Sequence, residues 1–230
     1  MIKMVVFDMA GTTVDENNVV YKTLMRAVNE KGLSVTLDEV LAEGAGKEKL
    51  QAIRSILSLK QIEDEKLAAE IFERFLILLD DAYSTQDILE QPNATSVFHA
   101  LRELNIAVVL NTGYNRQTAE ALVKKIGWEP GVHFDCLITA SDVELNRPNP
   151  DMILLAMSQL GITDASEVAK VGDSAIDIEE GQNAGCGLSI GITTGAHTPD
   201  QLRQASPDYI IGNLIELLSI FEEADKAVAE

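Results

Sequence analysis

The sequence predicts an α/β protein: a parallel sheet with helices on both faces, and an all-helical unit inserted after the first strand. Three observations carry this. Short β-branched runs alternate with segments of helical period over most of the chain. Between residues 17 and 91 only the helical period is found. Acids, hydroxyls and glycines gather just beyond the apolar runs, where ligands bind in open α/β sheets.

The first run, 3–7 (KMVVF), reads as a buried strand. Amphipathic helical pattern then fills 18–31, 36–43, 47–58 and 63–83. A helical block placed there reads as an insertion, so we assign 17–91 to a helical cap domain and 1–16 with 92–230 to the core. Hinges are expected at Asp15–Asn18 and Gln91–Asn93, where the two join. The strand pattern resumes at 106–110 (IAVVL), 136–138 (CLI), 168–171 (VAKV), 188–192 (LSIGI) and 209–211 (YII), each bounded by Gly, Asp or Asn. Helical period occupies 115–126, 149–160, 177–184 and 198–205, several with polar or Pro starts. An acidic helix around 213–229 closes the chain. Such alternation gives a Rossmann-like parallel sheet covered on both faces.

Composition narrows the function. Of 230 residues, 46% are hydrophobic and 24% charged, which excludes a disordered chain. The formal net charge of -19 repels phosphate backbones and anionic lipid, so no nucleic-acid or membrane partner is expected. An anionic substrate would need local cations or a metal to reverse that field. Cys136 and Cys186 sit in apolar stretches without zinc-type spacing and read as reduced core thiols. The opening MIKMVVFD reaches an acid too soon for a signal peptide, and no apolar run approaches about 18 residues. A cytoplasmic protein is expected.

Four segments carry chemistry. The first strand ends in Asp8, followed by Met9-Ala10-Gly11-Thr12-Thr13, a carboxylate beside a loop whose amides can face an anion. The second strand ends in Asn111-Thr112-Gly113-Tyr114, a hydroxyl before a helix N-terminus. Arg147 precedes a helix whose start is set by Pro150. Asp173 and Asp177 follow a strand and Gly172, a carboxylate pair that suits a hard divalent cation. Each alone reads equally well as a cap, a turn or a solvated side chain; their convergence on one sheet edge does not.

In order, spacing and placement these segments resemble the haloacid dehalogenase-like hydrolase superfamily, over nearly the whole chain. The resemblance implies a Mg2+-dependent hydrolase with Asp8 as the nucleophile that attacks phosphorus. Thr112 and Arg147 would hold the phosphoryl group, with Ala10, Gly11, Thr12, Gly113 and Tyr114 lining its pocket. Asp8, the Ala10 backbone, Asp173 and Asp177 would hold the metal. The block 17–91 is similar to the cap inserted after the first strand in one class of these enzymes.

Ala10 stands where most phosphatases of the superfamily place a second Asp, which protonates a departing alcohol and is worth about 10² to 10⁴ in rate. With Arg147 in place of the usual lysine, this resembles the phosphonatase branch, the phosphonoacetaldehyde hydrolases. There carbon leaves, and a cap lysine after a Gly-x-x sequence forms a Schiff base with the substrate aldehyde. Gly44-Ala45-Gly46-Lys47 fits that placement and nominates Lys47, with Lys49 beside it to lower the amine's pKa. In this alignment Leu50 replaces the branch's histidine and Glu43 its methionine, so a phosphonatase-like sister group is indicated. The branch also implies a homodimer through the cap.

The expected function is cleavage of a C–P bond in a small anionic 2-oxoalkylphosphonate such as phosphonoacetaldehyde. The alternative is a phosphatase of small phosphate monoesters, of the phosphoglycolate or sugar phosphate type. A non-enzymatic binding protein on this fold is disfavoured by the full set Asp8, Thr112, Arg147, Asp173 and Asp177.

Overall fold

The computed structural model describes residues 1–229, and side chains as far as Glu223. Strand β1 (Met4–Asp8) and a two-residue strand β2 (Val14–Asp15) lead into helices α1 (Val19–Asn29), α2 (Leu37–Gly44), α3 (Lys49–Leu59) and α4 (Glu65–Thr85). Next come β3 (Leu89–Glu90), α5 (Ala94–Glu103), β4 (Ala107–Thr112), α6 (Arg116–Ile126), β5 (Cys136–Thr139) and α7 (Asp151–Leu160). The chain continues through β6 (Val168–Gly172), α8 (Ala175–Ala184), β7 (Leu188–Ile192), α9 (Pro199–Gln204), β8 (Tyr209–Ile211) and α10 (Glu216–Ala229).

Six strands form one parallel sheet in the order β5-β4-β1-β6-β7-β8. All five residues of β1 are buried, which explains its unbroken apolar run: both faces of a parallel strand are covered. The pleat divides them. Met4 and Val6 pack with Met152, Ile153 and Ala156 of α7, while Val5 and Phe7 join the larger core on the other face. There Phe7 meets Phe98 of α5 at 5.3 Å between ring centroids, and Phe98 meets Trp128 at 5.1 Å.

Helices α1 to α4 pack on one another through Leu24, Val40, Ile53, Ile56, Ile71 and Phe75, all fully buried. Their starts are set by sequence. Thr36 and Glu39 form a capping box for α2, Glu48 accepts from the amides of Leu50 and Gln51 to start α3, and Asp64 caps α4.

All six predicted core strands are present. Besides β2, two further elements were not anticipated. The first is β3, which pairs antiparallel with β2 where only helix was expected. Its two residues are too few to show a period. The second is α5, whose ATSVFHALRE is rich in weak helix formers and whose N-cap, Asn93, makes no side-chain capping bond. Asn17, Asn18 and Asn93, all in the expected hinge segments, take left-handed backbone. Cys136 and Cys186 are free thiols. Among the described residues, no helix is long and apolar enough to cross a membrane.

Candidate active site

The sheet register brings the predicted residues to one edge. Asp8 ends β1 opposite Asn111 of β4, and Asp173 follows β6, the other neighbour of β1. After β1 the chain turns tightly, with the amides of Thr13 and Val14 donating to Met9 O. Gly11 has φ +85°, and a Cβ there would overlap the Asp173 carboxylate. Thr12 Oγ1 donates to Asp173 Oδ1 at 3.3 Å, and the Ala196 amide donates to its Oδ2 at 2.5 Å.

Asp177 is fixed by the start of α8. Its Oδ2 accepts from the Ser174 amide at 3.3 Å in a capping box and from Ser174 Oγ at 2.5 Å, which leaves Oδ1 facing Arg147 and Lys170. Buried Oδ1 has no hydrogen-bond partner, only two cations at 3.0 Å, Arg147 Nη1 and Lys170 Nζ. Asp8, Asp173 and Asp177 each offer an oxygen within 4.8 Å of the others. Converging hard oxygen donors and room kept by Gly11 fit a divalent cation. Ala10 is buried in the same turn.

Arg147 is the hub of the cluster, at 1% exposure. Its Nη1 lies 2.7 Å from Asp8 Oδ1, its Nε donates to Glu180 Oε2 at 2.9 Å, and its Nη2 donates to Asn111 Oδ1 at 2.6 Å. Lys170, in the middle of β6, reaches Asn111 Oδ1 at 2.7 Å and Glu180 Oε2 at 3.2 Å. Burial, and then the Asp177 charge, push the Asp8 carboxyl above its ordinary range; burial, Asp8 and Asp177 do the same to Asp173. For Asp177 burial pushes upward too, but Arg147 and Lys170 overcome it and hold the group low.

Lys170 and Glu180 were not anticipated, although each left a signal. A lysine in the middle of a buried parallel strand needs a partner. Glu180 lies three residues after Asp177, on the same face of α8.

Thr112 is buried at the tip of β4, its Oγ1 accepting from the Tyr114 amide at 3.2 Å. At Gly113 a Cβ would come within 2.7 Å of Lys47 O, so only glycine permits this approach of the helical block. Tyr114 is buried with its Oη 2.7 Å from Tyr83 Oη.

The structure sets Lys47 and Lys49 in different surroundings at the start of α3. Lys47 is only partly buried, and its Nζ donates to Ser55 Oγ at 2.9 Å, which holds it on α3. Lys49 is the buried one. Its Nζ lies 5.1 Å from the Tyr114 ring centroid and 5.5 Å from that of Tyr21, and donates to Lys47 O at 2.9 Å. Burial lowers its pKa and outweighs the opposing pull of Asp8. Read from Gly46 instead of Gly44, the same Gly-x-x-Lys spacing ends on Lys49. The branch's methionine and histidine positions then fall on Ala45 and Ala52. A cleft of about 530 Å³ opens beside the lysine, lined by Lys49, Phe72, Phe75, Gly113, Tyr114 and Asn146.

This arrangement can place a carboxylate nucleophile, a bound cation, a buried guanidinium and a desolvated amine around one small anion. Comparison with known proteins places the chain in a family. The chain is 28% identical to a phosphonoacetaldehyde hydrolase of Latilactobacillus sakei, over 95% of this chain and 94% of that protein. It is 29% identical to a Dickeya dadantii protein named "Probable phosphatase IndB", over 95% and 93%. A solved phosphonoacetaldehyde hydrolase-like protein from Oleispira antarctica shares the fold with a TM-score of 0.83 at 24% identity, over 99% of this chain and 94% of that one. The family model for haloacid dehalogenase-like hydrolases matches residues 2–185, and the chain belongs to that family of enzymes.

Proposed function

We propose that the protein is a Mg2+-dependent phosphonatase that cleaves the C–P bond of a small 2-oxoalkylphosphonate, with Asp8 as nucleophile and Lys49 as the amine. The observation that carries this is Lys49: a buried, desolvated lysine beside the phosphoryl pocket of a site whose usual acid is Ala10. The relatives named phosphonoacetaldehyde hydrolase support the same substrate class.

Asp8, Asp173 and Asp177, with the Ala10 backbone, would hold Mg2+, which supplies positive charge against the phosphoryl oxygens. Arg147 and Thr112 orient the phosphoryl group for in-line attack by Asp8. Lys49 adds to the substrate carbonyl, and loss of water leaves an iminium. The C–P electron pair then moves into the carbon skeleton as an enamine while phosphorus passes to Asp8. A proton taken up at the carbon that left phosphorus turns the enamine back into an iminium, and water then hydrolyses that iminium and the aspartyl phosphate. We further propose that residues 17–91 act as a cap whose closure excludes water, with Gly113 seating it on the core.

The second reading is a phosphatase of small phosphate monoesters, which the Dickeya relative's name favours. Phosphate release from phosphonoacetaldehyde and from a panel of esters, with borohydride trapping, separates the two. Trapping that maps to Lys49 supports C–P cleavage; ester turnover without trapping overturns it.

A further inference from the structure

Glu16 is a buried acid that this mechanism leaves unused. It follows β2 at 3% exposure, and its Oε2 accepts from the Val20 amide and from Tyr83 Oη, each at 2.8 Å. Tyr83 Oη is in turn 2.7 Å from Tyr114 Oη. Because the Tyr83 proton points to Glu16, Tyr114 is the donor to Tyr83. The chain runs from Tyr114, beside Lys49, to a carboxylate on the far side of Tyr83. Three segments meet to build it: the β2–α1 link, the end of α4 and the turn after β4. Ala10 and Ala52, near the proposed site, carry no titratable group.

We propose that Glu16 is a positioning residue that takes up and returns the proton of Lys49 through Tyr114 and Tyr83. This rests on the reading of Lys49 as the reacting amine. In the step, Lys49 –NH3+ and Glu16 –COO− become –NH2 and –COOH, each phenol accepting one proton and passing one on. A water, accepting one proton from the ammonium and passing one on, closes the gap between Lys49 and Tyr114. The amine nitrogen then bonds to the carbonyl carbon. One proton from the amine nitrogen and the one returned from Glu16 both go to the former carbonyl oxygen, which leaves as water when the iminium forms.

Electrostatics favour the neutral pair. Burial is the largest influence on both groups, pushing Glu16 up to about 7 and Lys49 down. The charges acting on Glu16 are Lys49 and Lys22; Tyr83 is its phenolic neighbour, while Tyr21 and Tyr114 both feel its charge.

The test measures kcat and KM for phosphonoacetaldehyde with Mg2+ across pH in the full-length wild type, Glu16→Gln, Glu16→Asp and Tyr83→Phe, alongside borohydride labelling. The expected wild-type kcat rises with pH through about 7 as Glu16 becomes able to accept a proton. Glu16→Gln and Tyr83→Phe lose this limb and about 10²-fold in kcat at little change in KM. The double variant is no worse than either single one, and Glu16→Asp restores part of the limb. Labelling of Lys49 in the wild type, with kcat and pH profile unchanged in Glu16→Gln, overturns the relay alone. Absence of wild-type labelling overturns the amine reading and the relay with it.

Discussion

Arg147 holds Asp8 by an ion pair of 2.7 Å at nearly complete burial on both sides. The same guanidinium also pairs with Asp177 and Glu180, which Lys170 contacts as well, so two cations are shared among three buried acids. Breaking such a pair from one side is costly because the abandoned charges stay in a low-dielectric interior. Arg147→Ala should lower stability by about 3–5 kcal/mol in urea unfolding. Arg147→Lys should keep much of the stability but lose activity, since an ammonium cannot span Asp8, Glu180 and Asn111 together. Equal activity in the lysine variant would refute this account of the hub.

The two neighbouring lysines make opposite predictions. Lys49→Ala should abolish borohydride labelling and lower phosphonate turnover by about 10³-fold or more, a covalent catalyst being lost. Lys47→Ala should stay within about threefold, because its amine is engaged with Ser55 on α3. Steady-state kinetics on both variants, with peptide mapping of the label, decide between them.

Asp173 should couple metal binding to stability. At a Mg2+ concentration 100 times its Kd, the wild type should gain about 2.7 kcal/mol, and Asp173→Asn should gain almost nothing. Gly195→Ala should behave likewise, because a Cβ there would displace the Asp173 carboxylate. Thermal melts with and without Mg2+ measure this directly, and a full metal increment in either variant would contradict the assigned site.

Glu16 should impose a pH dependence on folding. Its native pKa, about 7, lies above the ordinary value of 4.5, so between those pH values the native state binds more protons than the unfolded state. Stability therefore falls as pH rises through this window, by at most about 3 kcal/mol. Glu16→Gln, whose side-chain oxygen can still accept from the Val20 amide, should be more stable than wild type at pH 8 and similar near pH 5. Denaturation midpoints at the two pH values test it.

The sheet was legible because its strands are buried on both faces, which writes them as continuous apolar runs such as MVVFD of β1. Asp8, Thr112 and Asp173 were legible because strand tips in such sheets line the site. Lys170 and Glu180 were not, since their meeting depends on strand register and helix phase, neither of which is a local pattern. The contrast between Lys47, on α3, and the buried Lys49 was not legible for a related reason. Residues two apart at a helix start face nearly opposite ways, and Glu48 sets where α3 begins. The β2–β3 pairing joins segments separated by the entire helical block, which no window of periodicity spans.

That pairing also makes the architecture modular. Because Val14–Asp15 and Leu89–Glu90 lie side by side, the core sees the intervening helices as one closed loop. Doubling the length of such a loop costs only about 0.6 kcal/mol more in closure entropy. By that arithmetic we expect a longer helical insert between β2 and β3 to be tolerated, with the sheet that carries Asp8, Thr112 and Asp173 left alone.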